Sequence, residues 1–261
     1  MTTPDAQTAL GPRRFEGRVA LLTGAASGIG RSVALRLAAE GATVFGVDIN
    51  AAGLDETAAS VAAAGGTMVV RPADITGRDE CRATVAACLD DLGRLDVLGN
   101  IAGMARAEHV VDVAEADYRQ MMAVNVDGAF FLAQAAIPHL LESSGNILNI
   151  ASNAGLMGQA YTVVYCMTKG AVIQLTRALA MEYIKTPLRV NAIAPGGVDT
   201  SLSRGFQIPD DVDFELMGRY TGLRRMARPD DVAGLFAFVA SDDGANIHGA
   251  ILSTDAGLTT G

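Results

Sequence analysis

Three side chains in the middle of the chain could transfer a proton to or from an alcohol. Tyr165 and Lys169 are four residues apart, so they would share one face of a helix. An isolated phenol is a poor acid–base group near neutrality, because its reference pKa is about 10. A neighbouring ammonium favours the phenolate, so we expect Lys169 to move the pKa of Tyr165 towards neutrality. Ser152, at a predicted strand end, could then hold a substrate oxygen.

A glycine loop far upstream would place a dinucleotide beside those side chains. Gly24, Gly28 and Gly30 join a short apolar run to a helical pattern. Such a loop brings backbone N–H groups and a helix N-terminus to one spot, which suits a pyrophosphate. The spacing differs from the G-x-G-x-x-G arrangement, and by itself the loop could also be a tight turn of small residues.

An acidic residue after the second strand bears on the choice of cofactor. Asp48 follows Gly30 by eighteen residues, where a carboxylate can accept hydrogen bonds from the adenosine ribose. A carboxylate would repel a 2′-phosphate, and residues 25–27 and 49–50 hold no Lys or Arg to attract one. The sequence therefore predicts NAD rather than NADP. The alternative interpretation of Asp48 is a solvated strand end.

Composition argues against several classes of protein. The 261 residues, 50% hydrophobic and 19% charged, suffice for one large α/β domain and make global disorder improbable. A net charge of -9 disfavours a nucleic-acid partner, and the apolar runs are shorter than the roughly 20 residues of a membrane span. The three cysteines have no nearby histidine, so neither a disulfide framework nor a metal site is predicted. We expect a cytoplasmic protein.

Strand-like and helix-like patterns alternate along most of the chain. We expect strands at 19–22, 43–47, 67–70, 95–99, 145–150, 188–194 and 250–253. We expect helices at 32–40, 51–64, 76–92, 115–141 and 161–183, with another starting at Pro229. This alternation predicts an α/β fold, a Rossmann-type doubly wound parallel sheet of about seven strands with helices on both faces.

One region breaks that alternation. Residues 199–223 are polar and lack a clear period, and they follow a strand end, where α/β sheets bind ligands. We predict a substrate lid there, with an ordinary surface loop as the alternative. Residues 1–14 are predicted to be a flexible tail, and residues 15–261 a single catalytic domain.

Taken together, the motifs resemble the short-chain dehydrogenase/reductase family over residues 17–258. The resemblance rests on Thr-Gly-x3-Gly-x-Gly at 23–30, Asp74, Asn-Ile-Ala-Gly at 100–103, Asn125, Ser152, Tyr165-x3-Lys169 and Pro-Gly at 195–196. Two positions depart from the family pattern: Ile101 stands where a second Asn is frequent, and Ala256 where a second Gly is common. Neither belongs to the expected proton relay.

The resemblance implies a role for each matching residue. Tyr165 would be the general acid/base, Lys169 would lower its pKa and bind the nicotinamide ribose, and Ser152 would polarise the substrate carbonyl. Asn125 would hold a water beside Lys169. The implied cofactor-binding residues are Gly24, Ser27, Gly28, Ile29, Gly30, Asp48, Ile49, Asp74, Ile75, Asn100, Ala102, Gly103, Tyr165, Lys169, Pro195, Gly196, Val198 and Thr200.

These roles predict an NAD-dependent oxidoreductase that transfers a hydride between a secondary alcohol or ketone and NAD. The alternatives are a 3-oxoacyl thioester reductase, whose usual preference for NADPH Asp48 opposes, and a non-catalytic dinucleotide-binding regulator. Relatives are commonly tetramers, so we expect a homotetramer.

Apolar side chains near the expected pocket bear on the substrate. These side chains favour a bulky hydrophobic alcohol as the substrate. The alternative is that they only pack the core and the lid. They are Met104, Leu156, Met157, Leu202, Phe206 and Met217.

Overall fold

The computed structural model of the protein describes residues 13–220, 222 and 224–260. The strands in this part of the chain are β1 Val19–Thr23, β2 Thr43–Asp48, β3 Thr67–Pro72, β4 Val97–Asn100, β5 Asn146–Ile150, β6 Arg189–Pro195 and β7 Ile251–Thr254. The α-helices are α1 Gly28–Ala39, α2 Ala51–Ala63, α3 Arg78–Leu92, α4 Glu115–Met122, α5 Gly128–Glu142, α6 Val163–Glu182, α7 Ser201–Arg204, α8 Phe214–Gly218 and α9 Pro229–Ala240.

The seven strands form one parallel sheet in the order β3-β2-β1-β4-β5-β6-β7. The order reverses between β1 and β4, and the carboxyl ends of the strands at such a reversal border a ligand-binding crevice. The predicted Rossmann-type doubly wound sheet is confirmed.

Both faces of the sheet are buried, which explains the continuous apolar character of its strands. Successive side chains of a strand point to opposite faces. Ala20 and Leu22 of β1 therefore pack in the cluster that contains α1, α2 and α9. Val19 and Leu21 pack in the opposite cluster, with α3 and α5. Leu21 and Leu22 are fully buried, and each contributes about 1.5–3 kcal/mol of hydrophobic stabilisation.

Two helices differ most from their predictions. Helix α1 begins at Gly28 rather than at residue 32, because its first turn takes up the end of the glycine loop. The predicted helix 115–141 is continuous, but residues Ala123–Asp127 form a π-helical segment between α4 and α5. Such wide turns recur at functional sites, and this one contains Asn125.

The helical stretch Glu115–Glu142 is long and apolar enough to cross a membrane by length and composition alone. In this fold its apolar side chains have another function. Leu132, Ala136 and Leu140 are fully buried in the cluster shared with α3 and the sheet. This packing accounts for part of the hydrophobicity of the helix, since 44% of its most apolar window is buried.

The predicted tail and lid fall partly outside the described residues, since residues 1–12, 221 and 223 are not among them. Arg14, predicted to lie in the tail, instead belongs to the folded domain. Its guanidinium donates to both carboxylate oxygens of Glu40 at 2.7 and 2.8 Å, and the Glu40 side chain is buried. The predicted lid contains the short helices α7 and α8.

Candidate active site

Two adjoining cavities open at the carboxyl edge of the sheet. The first, the cleft, has a volume of 570 Å³. Its walls contain these predicted cofactor-binding residues: Gly24, Ser27, Gly28, Ile29, Gly30, Asp48, Ile49, Asp74, Ile75, Ala102, Gly103 and Thr200. The second, the inner cavity, has a volume of 280 Å³. Its walls contain Ser152, Tyr165, Lys169, Pro195, Gly196 and Val198 of the predicted site, as well as Ile29, Gly103 and Thr200, which the two cavities share.

The glycine loop needs glycine because its backbone segments approach closely. A Cβ on Gly30 would stand 2.0 Å from the carbonyl oxygen of Gly24. Gly24 has a φ of +67°, and a Cβ there would stand 3.0 Å from the backbone of Ala102. Ser27 is the N-cap of α1, but its side chain makes no capping hydrogen bond. The N-terminus of α1 thus adjoins the cleft, where it favours an anion.

Thr23 ties the glycine loop to the turn after β4, a role that the motif analysis did not assign. Its hydroxyl oxygen accepts the N–H groups of Ile101 and Ala102 at 2.9 and 3.0 Å. The side chain is buried, so these hydrogen bonds are shielded from water. The two loops that border the cleft are therefore fixed to each other.

Asp48 is held at the wall of the cleft by backbone groups. Its two oxygens accept the N–H of Ala26 at 3.1 Å and the N–H of Asn50 at 3.0 Å. The nearby Arg31 donates to the carbonyl of Ala26 at 2.7 Å and to the carboxylate of Glu56 at 2.8 Å. Since that cation is already paired, the local charge presented by Asp48 to a ribose in the cleft is negative.

Two predicted site residues line neither cavity. Asn100 is buried between strands, and its side-chain N–H groups donate to Asn149 at 2.9 Å and to the carbonyl of Ala129 at 3.3 Å. These bonds hold β4 to β5 and α5, while the Asn100 amide oxygen is buried without a hydrogen-bond partner in the described part of the chain. The contact of Asn100 with a cofactor stays a prediction. Asn125 is the second predicted site residue that lines neither cavity.

Asn125 instead positions the segment after β4. Its amide accepts the N–H of Met104 and donates to the carbonyl of the same residue, both at 2.8 Å. It also donates to the hydroxyl of Thr168 at 3.0 Å. A Cβ on Gly103 would lie 3.3 Å from the Asn125 amide oxygen and 3.4 Å from the Lys169 ammonium, so the two polar groups flank that glycine. The water expected beside Lys169 stays a prediction.

Ser152, Tyr165 and Lys169 meet at one wall of the inner cavity. Ser152 follows β5 and accepts the N–H of Ala154 at 3.1 Å. The Lys169 ammonium is buried, donates to the carbonyl of Ile150 at 2.7 Å and lies 5.8 Å from the centre of the Tyr165 ring. The strand end and the first turns of α6 thus bring the three predicted catalytic side chains together.

Burial controls the ionisation of this cluster. It raises the pKa of Tyr165, and the neighbouring Ser152 hydroxyl, which favours the phenolate, only partly offsets that effect. The expected downward shift is therefore wrong for this structure, because the desolvation of the phenol outweighs its polar contacts. Burial also lowers the pKa of Lys169 from 10.5 to about 8, so most of these side chains still carry the ammonium charge at pH 7.

Residues of the predicted lid line one side of the inner cavity. Leu202, Phe206 and Tyr220 line it, whereas Leu156, Met157 and Met217 do not, and Met104 lines the cleft. The Tyr220 hydroxyl donates to the carbonyl of Ala160 at 2.9 Å.

Tyr161, a second tyrosine just before α6, contacts the predicted lid. Its hydroxyl accepts the N–H of Asp213 at 2.8 Å, and it lines neither cavity. Together with the hydrogen bond from Tyr220, this contact secures the lid to the loop before α6.

Sequence reasoning missed Asn153 and Gln159, which also line the inner cavity. They lie one and seven residues after Ser152, a spacing without a helical or strand period. Their positions depend on the 3-10 turn Asn153–Gly155 and on the loop that follows it.

Comparison with known proteins agrees with this architecture. A family model described as Enoyl-(Acyl carrier protein) reductase matches residues 24–259. The chain is 37% identical over 246 residues to the meso-2,3-butanediol dehydrogenase of Serratia marcescens, covering 94% of this chain and 96% of that protein. It is 34% identical over 246 residues to the 3-oxoacyl-[acyl-carrier-protein] reductase of Thermotoga maritima, covering 94% and 99%. A short chain dehydrogenase from Mycobacterium paratuberculosis, solved bound to NAD, superposes with a TM-score of 0.88 at 33% identity, covering 95% of this chain and 100% of that chain.

Proposed function

The chain belongs to the short-chain dehydrogenase/reductase family, and from that premise we propose that Tyr165 exchanges a proton with a secondary alcohol or ketone in the inner cavity. Membership confirms the predicted family and the predicted class of enzyme, an NAD-dependent oxidoreductase of alcohols and ketones. The observation that carries the proposal is the meeting of Tyr165, Lys169 and Ser152 where the inner cavity adjoins the cleft.

The reaction divides between the cofactor and these side chains. NAD supplies the hydride acceptor when it is bound. Ser152 and Tyr165 hold the substrate oxygen, and the Tyr165 phenolate takes the hydroxyl proton as the carbinol carbon loses its hydride. The Lys169 ammonium stabilises that phenolate through its charge. In the reverse direction the Tyr165 phenol donates its proton to the carbonyl oxygen.

Residues of the cleft would orient the cofactor. The glycine loop and the N-terminus of α1 suit the pyrophosphate, and Asp48 suits the hydroxyls of the adenosine ribose. Asp74 and Ile75, which follow β3, line the part of the cleft that we assign to the adenine. Pro195 ends β6, and Gly196, Val198 and Thr200 follow it. All four line the inner cavity, so we assign them to the nicotinamide end.

The shape of the inner cavity bears on the substrate. Its volume of 280 Å³, part of which we assign to the nicotinamide, lies just below the range of about 300–1,000 Å³ for small-molecule sites. Leu202 and Phe206 supply an apolar wall. We propose that the substrate is a compact secondary alcohol whose apolar portion packs against these two residues. This substrate is smaller than the bulky hydrophobic alcohol that the sequence favours.

We also propose a cytoplasmic homotetramer assembled through α5 and α6. Phe130 on α5 and Met167 and Met181 on α6 are exposed apolar side chains that a second copy could cover. Light scattering at micromolar concentration should give about four times the chain mass of 26.9 kDa. A monomer would contradict this assembly.

The activity is tested by following NADH formation from NAD with secondary alcohols, polyols and β-hydroxyacyl thioesters, with NADH binding measured in parallel. The proposal predicts turnover of a compact secondary alcohol. Preferential turnover of the thioesters would favour the acyl thioester reductase instead. NADH binding without oxidation of any alcohol would indicate a non-catalytic dinucleotide-binding protein.

A further inference from the structure

The inner cavity has a polar wall beyond Ser152 and Tyr165. Asn153 is only 5% exposed and Gln159 is partly buried, yet both line the cavity. The Ser152 hydroxyl donates to the side-chain oxygen of Asn153 at 3.1 Å, and the Gln159 amide donates to the same oxygen at 3.2 Å. A chain of hydrogen bonds therefore runs from the proposed substrate-binding hydroxyl to two amide side chains.

Each amide leaves one polar atom without a partner. Within residues 13–220, 222 and 224–260, neither Asn153 Nδ2 nor Gln159 Oε1 makes a hydrogen bond to the protein. Neither atom is sealed from the cavity or from solvent. Polar groups on side chains as buried as Asn153 normally find a partner. One unpaired donor and one unpaired acceptor are thus accessible on two side chains that line the inner cavity.

We propose that these two amides bind a second oxygen of the substrate, on the carbon next to the reacting carbinol. The substrate class is then a vicinal diol, or an α-hydroxyketone in the reverse direction. This inference rests on the proposed function, because it assumes that Ser152 and Tyr165 hold the reacting oxygen. It adds that the protein also binds a second oxygen of the substrate.

A hydroxyl group matches this wall because it both donates and accepts a hydrogen bond. It would accept from Asn153 Nδ2 and donate to Gln159 Oε1. A second carbonyl could use only the donor. A hydroxyl therefore satisfies the wall more completely than any other common oxygen group.

The spacing favours adjacent carbons. Hydrogen-bonded heavy atoms lie about 2.7–3.2 Å apart, and the Asn153 amide is one hydrogen bond away from Ser152. A second oxygen bound there lies close to the oxygen that Ser152 holds. Oxygens on neighbouring carbons have that proximity, whereas oxygens on carbons far apart in the substrate do not.

The test compares cis- and trans-cyclohexane-1,2-diol with cyclohexanol, which differ only by the second hydroxyl. We measure kcat/KM with NAD for the wild type, for Gln159→Met, and for Asn246→Leu as a control at an exposed amide that lines neither cavity. The wild type should prefer one of the diols by about tenfold or more, since an alcohol that lacks the hydroxyl leaves polar groups unpaired. Gln159→Met should bring that preference to within about threefold, and Asn246→Leu should keep it.

The outcomes separate this inference from the proposed function. Oxidation of cyclohexanol as fast as of both diols would overturn the inference and leave the dehydrogenase activity standing. The same holds if Gln159→Met keeps the wild-type ratio with an unchanged melting temperature. If neither the diols nor cyclohexanol are oxidised, and NADH reduces neither 2-hydroxycyclohexanone nor cyclohexanone, the proposed function fails and the inference fails with it.

Discussion

Asp48→Asn should weaken the preference for NADH over NADPH by about thirtyfold. Asp48 is fixed by the N–H groups of Ala26 and Asn50 at 3.1 and 3.0 Å, so its charge faces the cleft in one orientation. A charged hydrogen bond to a ribose hydroxyl is worth about 2 kcal/mol and a neutral one about 1 kcal/mol. The asparagine therefore costs NADH about 1 kcal/mol.

The same substitution should strengthen the binding of NADPH. Two unit charges 4 Å apart interact by about 1 kcal/mol in water and about 4 kcal/mol near a protein surface. The cleft is open and Asp48 is only half-buried, so we take the lower end, about 1 kcal/mol. The two effects add to about 2 kcal/mol, which is about thirtyfold in the ratio of dissociation constants.

Calorimetric titration with NADH and NADPH measures both constants directly. Asp55→Asn is the matched control, because it removes the same charge from an exposed position on α2 outside the cleft. It should keep the wild-type ratio. Tighter binding of NADPH by the wild type, or an unchanged ratio in Asp48→Asn, would refute the reasoning.

Two further substitutions test burial and close packing. Burial lowers the pKa of Lys169 from 10.5 to about 8, so between those pH values the unfolded chain binds more protons and the wild type gains up to about 3 kcal/mol of stability as pH rises. Urea denaturation from pH 7 to 10 should show Lys169→Met losing stability relative to the wild type, and a constant difference would contradict this. Gly30→Ala places a Cβ 2.0 Å from the Gly24 carbonyl oxygen, so it should cost about 1–3 kcal/mol of stability and weaken NADH binding at least about tenfold. Gly170→Ala, which meets nothing within 4 Å, should do neither, and equal behaviour of the two variants would count against the close-packing argument.

The fold could be predicted from sequence because parallel strands that are buried on both faces consist of continuous apolar runs in the sequence. Leu21 and Leu22 show this, since they face opposite sides of the sheet and are both fully buried. The pairing of Tyr165 with Lys169 could also be predicted from sequence, because residues four apart share one face of a helix.

Other parts of the site depend on contacts between distant segments. Asn100 matches the cofactor motif by spacing, yet its amide is taken up by Asn149 on the neighbouring strand. The direction of the Tyr165 pKa shift depends on desolvation, which an interval between residues does not reveal. Asn153 and Gln159 meet through a turn, so no sequence period indicates that they share a wall.

The central claim is that Tyr165 carries the proton. The most direct test is the pH profile of kcat/KM for alcohol oxidation by the wild type and by Tyr165→Phe, with NADH binding measured beside it. Because burial raises the pKa of Tyr165 and oxidation needs the phenolate, the wild-type rate should increase with pH. Tyr165→Phe should lose about 10²–10⁴-fold in rate while its NADH dissociation constant stays within about threefold, a change of under 1 kcal/mol. Retained turnover with the same pH profile would contradict the account.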